Sequence, residues 1–159
     1  KVYVFDPFVD KQKIIDKKCI PIEKKEGFKI ADYITVHLPL NDKTKNFIST
    51  EEFLLFKKNL ILVNTARGGI INEDALFNAL KQKNIAGAGL DVFQSEPPIK
   101  NHPLFNLDNI IFSPHNAALT LECRKRMAIE SCETAAYFLN NKKKLNINNI
   151  VNKNYIKKI

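Results

Sequence analysis

Short apolar runs alternate with longer stretches of mixed polarity along the chain. Val2-Tyr3-Val4-Phe5 reads as a strand that stops at Asp6-Pro7. Residues 11–18 read as a weak helix and residues 19–22 as a short strand. Tyr33 to His37 is rich in β-branched and aromatic residues, the composition of a strand, and Pro39 ends it. Thr50-Glu51-Glu52 opens a short helix through Phe56, with Ser49 or Thr50 as its N-cap. Leu60-Ile61-Leu62-Val63 is apolar throughout, as expected of a strand buried on both faces. A turn at 64–69 leads to a helix opened by Asn72-Glu73-Asp74, whose acids suit the helix dipole. Ala75, Leu76, Ala79 and Leu80 recur there at helical spacing. Residues 86–92 and 110–112 read as further strands, the last stopped by Ser113-Pro114. A long helix follows from about Leu119 to Asn140, with Met127, Ala128, Cys132, Ala135, Ala136 and Leu139 expected as its buried stripe. The Asn-rich stretch 145–159 reads as a tail or docking strand.

Strands alternating with helices through short loops predict an α/β fold with a mostly parallel sheet. In such sheets the ligand crevice lies outside the carboxyl ends of the strands. Every expected strand ends at chemistry-bearing residues: Asp6, His37, Asn64 with Arg67, Asp91 with Glu96, and His115. The sequence therefore predicts that carboxylates, imidazoles and a guanidinium gather along one edge.

Composition narrows the reading. With 159 residues, 45% hydrophobic and 26% charged, the chain fits one globular domain with a core. No apolar run approaches the ~20 residues that span a bilayer, so no membrane partner is expected. The opening strand leaves no room for a signal peptide, and without an initiator Met the chain reads as a fragment whose start lies upstream. The net charge of +8 invites a nucleic-acid reading, but only three of the 25 basic residues are Arg. Lysines scattered in doublets make a solvated surface rather than a phosphate-reading groove, so no nucleic acid is expected. Three cysteines without a CxxC pair indicate neither a disulfide framework nor a metal site, and fit a reducing cytoplasm.

Individual residues then carry candidate roles. An acid after a strand, as at Asp6, can accept hydrogen bonds from a ribose and disfavour a 2′-phosphate, which selects NAD over NADP; it can equally cap a loop. Arg67, beside Gly68-Gly69, can clamp a carboxylate and polarise a carbonyl. Glu96 and His115 can form an acid/base pair, because imidazole titrates near neutrality and a neighbouring carboxylate fixes its tautomer. The alternative reading of His115 is an N-cap-region histidine, after Pro114 and just before the long helix. His37 reads as structural or as part of a pocket wall rather than catalytic, and His102, in a Pro- and Asn-rich loop, as exposed.

Taken in order, these segments resemble a known family. Val2 to Phe8, Ala31-Asp32 through His37-Leu38-Pro39-Leu40 with Thr44, Leu62 to Gly68, Gly87 to Phe93, Glu96-Pro97-Pro98, Ser113-Pro114-His115 and Ile150-Val151-Asn152 are similar to the C-terminal part of the D-isomer-specific 2-hydroxyacid dehydrogenases. That group includes D-3-phosphoglycerate dehydrogenase and hydroxypyruvate/glyoxylate reductase. The resemblance implies a Rossmann-like doubly wound parallel sheet, truncated at its N-terminal side, because the first strand and GxGxxG loop are not in this sequence. It implies a partial dinucleotide-binding domain over 1–140 and a tail over 141–159 that returns to a substrate domain. NAD is the implied cofactor, a small 2-hydroxy or 2-keto acid the implied substrate, and a homo-oligomer the implied assembly.

Position by position, the resemblance gives Asp6 to the adenosine ribose, and His37 and Pro39 to the adenine side. Thr65 and Ala66 go beside the nicotinamide ribose, Arg67 on the substrate's carboxylate and carbonyl, and Asp91 at the nicotinamide carboxamide. Glu96 orients His115, which exchanges the proton beside the cofactor. The Glu separates the chain from related formate dehydrogenases, which place Gln there. Two departures stand out. Asn116-Ala117-Ala118 replaces a glycine pair common after the histidine, and the absent Gly-rich loop would have supplied N–H groups to the pyrophosphate. The isolated chain is therefore expected to bind NAD poorly and to lack useful turnover. A non-catalytic, NAD(H)-sensing corepressor of the same fold is the alternative.

Overall fold

The computed structural model describes residues 1–140. They fall into two units, Lys1–Ala117 and a second beginning at Ala118. The first contains β1 (Tyr3–Val4), α1 (Lys11–Asp16), β2 (Ile20–Pro21), α2 (Lys24–Ile30), β3 (Tyr33–Val36), α3 (Thr50–Phe53), β4 (Ile61–Asn64), α4 (Glu73–Lys81), β5 (Gly87–Leu90) and β6 (Ile110–Phe112). A 3-10 turn, Pro103–Asn106, sits between β5 and β6. The second unit holds the helix α5 (Leu121–Asn140).

All strand pairs are parallel, as the alternating pattern predicts. β3, β4, β5 and β6 form one sheet in chain order, and β1 pairs with β2 in a separate two-stranded sheet. In a doubly wound domain the position between β1 and β3 belongs to the strand that leads into the Gly-rich loop. The expectation of five strand ends on one sheet is therefore corrected: four share a sheet, and Asp6 follows a strand of the other.

Burial explains why the central strands are apolar. Leu60 and Leu62 are fully buried, with Leu90 and Val36 nearly so. Each such side chain contributes about 1.5–3 kcal/mol on leaving water. Phe28, Phe53 and Phe56 meet edge to face at centroid distances of 5.1 and 5.4 Å, packing α2 and α3 together. Ser49 and Glu52 form a reciprocal capping box at the start of α3. Asn72 caps α4 by accepting from the Ala75 N–H, and that helix buries Ala75, Leu76, Ala79 and Leu80, as their spacing predicts.

Three expectations change. Helix α2 was not anticipated, because Gly27 and flanking lysines mask its pattern; its Phe28 is buried in the core. The expected buried stripe of α5 is exposed at every position named for it, Cys132 included. An amphipathic pattern specifies which face can be covered, and does not by itself supply a cover. His102 is not an exposed loop residue: its side chain is only 13% exposed and paired with Glu73. The expected tail at 141–159 lies outside the described residues.

Candidate active site

The register of the four-stranded sheet aligns its carboxyl ends. Val36 pairs with Asn64, Asn64 with Leu90 and Leu90 with Phe112. The residues that follow, His37, Thr65, Asp91 and Ser113, therefore stand in one row along the edge where α/β folds bind ligands.

Asp91 organises one end of that row. Its carboxylate is buried and accepts hydrogen bonds from the Ser113 hydroxyl, from the Asn116 N–H at 2.8 Å and from the Ala117 N–H at 3.0 Å. Its backbone oxygen accepts from the His115 N–H at 2.8 Å. Burial pushes the Asp91 carboxyl up, but the hydrogen bonds from Ser113, Ala117 and Asn116 outweigh it and hold the group below its ordinary value. These bonds fix a turn in which His115 has φ of 52°, a left-handed conformation that non-glycine residues rarely adopt. Such a conformation persists where surrounding contacts over-determine it.

His115 emerges from this turn with its Nδ1 2.8 Å from Glu96 Oε2. A carboxylate only accepts, so the proton of this bond sits on Nδ1 and Nε2 is left as the basic nitrogen of the neutral ring. The other Glu96 oxygen accepts from the Phe93 N–H at 3.1 Å. The His115 hydrogen bond, followed by that of Phe93, holds the Glu96 carboxyl below its ordinary value. Both side chains are about half exposed, so a substrate can reach them.

Arg67 lies on the loop after β4. Buried Asn64 shapes that loop, accepting from the Ala66 N–H and donating to the Arg67 carbonyl, each at 3.0 Å. The sequence marks Asn64 as a polar strand end beside Arg67, and the structure gives it the role of bracing the loop. A Cβ on Gly68 would fall 1.8 Å from the Phe93 carbonyl oxygen, so only glycine lets the Arg67 loop abut the segment that carries Glu96. His37, Leu38, Pro39, Leu40, Ala66 and Arg67 line a cleft of about 620 Å³. The predicted residues thus gather in two groups, one around the cleft (His37, Pro39, Ala66, Arg67) and one around Asp91, Glu96 and His115, with Thr65 in the row between. Asp6 is not among the cleft residues; it is exposed, and its Oδ1 accepts from the Phe8 N–H at 2.9 Å. Among the described residues no helix is long and apolar enough to cross a membrane, and no cluster of three His, Cys, Asp or Glu could hold a metal.

Known proteins resemble this chain in sequence and in fold. The description "D-isomer specific 2-hydroxyacid dehydrogenase, NAD binding domain" matches residues 1–117. A D-3-phosphoglycerate dehydrogenase of Methanocaldococcus jannaschii is 46% identical over 123 residues, covering 76% of this chain and 23% of the relative. A glyoxylate reductase of Aeropyrum pernix is 45% identical over 112 residues, covering 70% of this chain and 33% of the relative. The crystal structure of a Lactobacillus jensenii D-lactate dehydrogenase with NAD+ superposes with a TM-score of 0.79 at 28% identity, covering 88% of this chain and 46% of that one. The chain thus spans a quarter to a third of the length of these curated relatives. The match over residues 1–117, on a parallel α/β sheet, makes the chain a member of the D-isomer specific 2-hydroxyacid dehydrogenase family, within that family's NAD-binding domain.

Proposed function

We propose that this chain provides the proton-transfer edge of an NAD-dependent oxidoreductase that interconverts a small 2-keto acid and its D-2-hydroxy acid. The observation that carries the reading is the 2.8 Å pair of His115 and Glu96, held at the carboxyl edge of the sheet. The cleft has the size and lining of a ligand site and would take part of a dinucleotide. At about 620 Å³ it lies within the ~300–1,000 Å³ usual for ligand sites, and Leu38, Pro39 and Ala66 give a planar ring an apolar wall. His37 and Pro39 would border the adenine side, Thr65 and Ala66 the nicotinamide ribose, and Asp6 the adenosine ribose. Asp91 would take the carboxamide with lone pairs left over from its three protein donors. Bound there, NAD(H) supplies or accepts the hydride.

The side chains do the rest. Arg67 binds the substrate carboxylate and polarises the carbonyl oxygen. In reduction, protonated His115 delivers the Nε2 proton to that oxygen; in oxidation, neutral Nε2 removes the hydroxyl proton. Glu96 keeps Nδ1 protonated in both directions and stabilises the imidazolium. Relatives named for phosphoglycerate, glyoxylate and hydroxypyruvate motivate those acids as candidate substrates. A reducing cytoplasm and a homo-oligomeric assembly belong to the same proposal.

The test extends the chain to the length of its relatives and assays glyoxylate, hydroxypyruvate and phosphohydroxypyruvate with NADH. His115→Ala is expected to lower kcat by about 10²–10⁴-fold. Turnover within a few-fold of the parent would remove the acid/base role. The unextended chain, lacking a Gly-rich loop, is expected to give weak NAD binding by calorimetry and no useful turnover.

A further inference from the structure

The segment that carries Glu96 is tied down from outside the proposed site. It leaves the sheet after β5 and runs to the 3-10 turn at Pro103. Its packing is open to solvent: a pocket of about 300 Å³ lies among Glu73, Gln94, Ser95, Pro98, Ile99 and His102, and Ile99 is exposed. Polar ties hold it instead. Glu73, in the first turn of α4, accepts from the Gln94 N–H at 2.6 Å through one oxygen. Through its other oxygen it meets His102 Nε2 at 3.0 Å. His102 Nδ1 accepts from the Leu104 N–H at 3.3 Å, which leaves the ring proton on Nε2, pointing at Glu73. Phe93 and Phe105 flank the His102 ring, each at a centroid distance of 5.6 Å. A single carboxylate therefore grips both ends of the segment 94–102, with Glu96 inside the span.

We propose that Glu73 and His102 are positioning residues: together they clamp segment 94–102 so that Glu96 is held against His115. Neither touches His115, so they act through Glu96 alone. Releasing either tie leaves the Phe93 N–H and His115 as the hydrogen bonds that hold the Glu96 carboxylate, on a segment otherwise open to solvent. This inference rests on the proposed proton-transfer role where turnover is the readout, but not where the Glu96 carboxylate itself is observed.

The experiment compares Glu73→Gln and His102→Leu with the parent. In the full chain, carbon NMR follows the titration of the Glu96 carboxyl, and denaturant unfolding identifies which variants are folded. The clamp predicts that the Glu96 midpoint rises in each folded variant toward the ordinary value of 4.5, as contact with His115 is lost. In the chain extended to the length of its relatives, kcat is expected to fall roughly ten- to a hundred-fold, because ~1 Å of misplacement costs up to that much, while KM for NADH stays within about two-fold. An unchanged Glu96 titration in either folded variant overturns the clamp, whatever turnover does. An extended parent that turns over no 2-keto acid overturns the proposed function instead, and the titration still decides the clamp.

Discussion

The two sheets of the first unit follow the same parallel rule and end up unlike. The four-stranded sheet has a wholly buried Leu62 and a nearly buried Leu90, and its edge residues are locked by hydrogen bonds from segments far apart in sequence. The β1–β2 sheet pairs only two residues per strand, leaves Tyr3 and Ile20 exposed by 40% and 42%, and ends at an exposed Asp6. The chemistry follows the packing. His115, Glu96 and Asp91 are placed by contacts that the described residues supply themselves, whereas the proposed ribose partner rests on a small, open sheet.

The sharpest way to break this comparison is to truncate equivalent apolar side chains on the two sheets. Leu62→Ala is expected to cost about 2–5 kcal/mol in denaturant unfolding, from lost burial and the cavity left behind. Ile20→Ala is expected to cost under ~1 kcal/mol, as is usual at surface positions. Equal losses would mean that the two sheets are one cooperative structure of similar strength. Next, Gly68→Ala drives a methyl group into the Phe93 backbone and is expected to cost about 1–3 kcal/mol by overpacking. In the extended protein it should also lower kcat, because the Arg67 and Glu96 segments must separate.

Acid titration sharpens the difference further. The Asp91 and Glu96 carboxyls are held below their ordinary values of 3.8 and 4.5 in the folded chain. Their contribution to stability is fully present above those unfolded-state values and is lost as pH falls through the lower folded-state ones. Asp91→Asn is therefore expected to flatten the loss of stability on acidification below about pH 3.8, measured by unfolding at successive pH values. Asp6→Asn, on the open sheet, is expected to leave that profile as it is. Smallest of all, Lys57→Ala removes an exposed 2.9 Å pair with Asp32 and should leave the unfolding midpoint unchanged at physiological salt.

Much of this was legible because strands announce themselves where both faces are buried. Leu60 to Val63 could hardly be anything else, and in a parallel sheet strand ends alone nominate the edge that carries His37, Arg67, Asp91 and His115. Local signals also sufficed to start two helices, α3 at Ser49 or Thr50 and α4 at Asn72-Glu73-Asp74, while the structure supplies the caps themselves. What escaped depends on partners distant in the chain. Glu73 and His102 lie 29 residues apart, so nothing local marks the histidine as paired. Asp91 read only as a strand-end acid, since its three donors come from residues 113–117. Helix α2 was hidden because Gly27 weakens its propensity while Phe28 alone supplies its deeply buried contact. Its identification needed the neighbours Phe47 and Phe56 that cover it.

The in-step endings of β3 to β6 make the sheet a ruler. A residue inserted into the connection between two strands can be absorbed where the chain is loose. One inserted within β5 would move Asp91 along the strand by ~3.3 Å and turn its side chain to the opposite face. The Asn116 and Ala117 amides would then lose their acceptor, and the His115 turn its brace. Length variation in this domain should accordingly collect between the strands and spare their interiors.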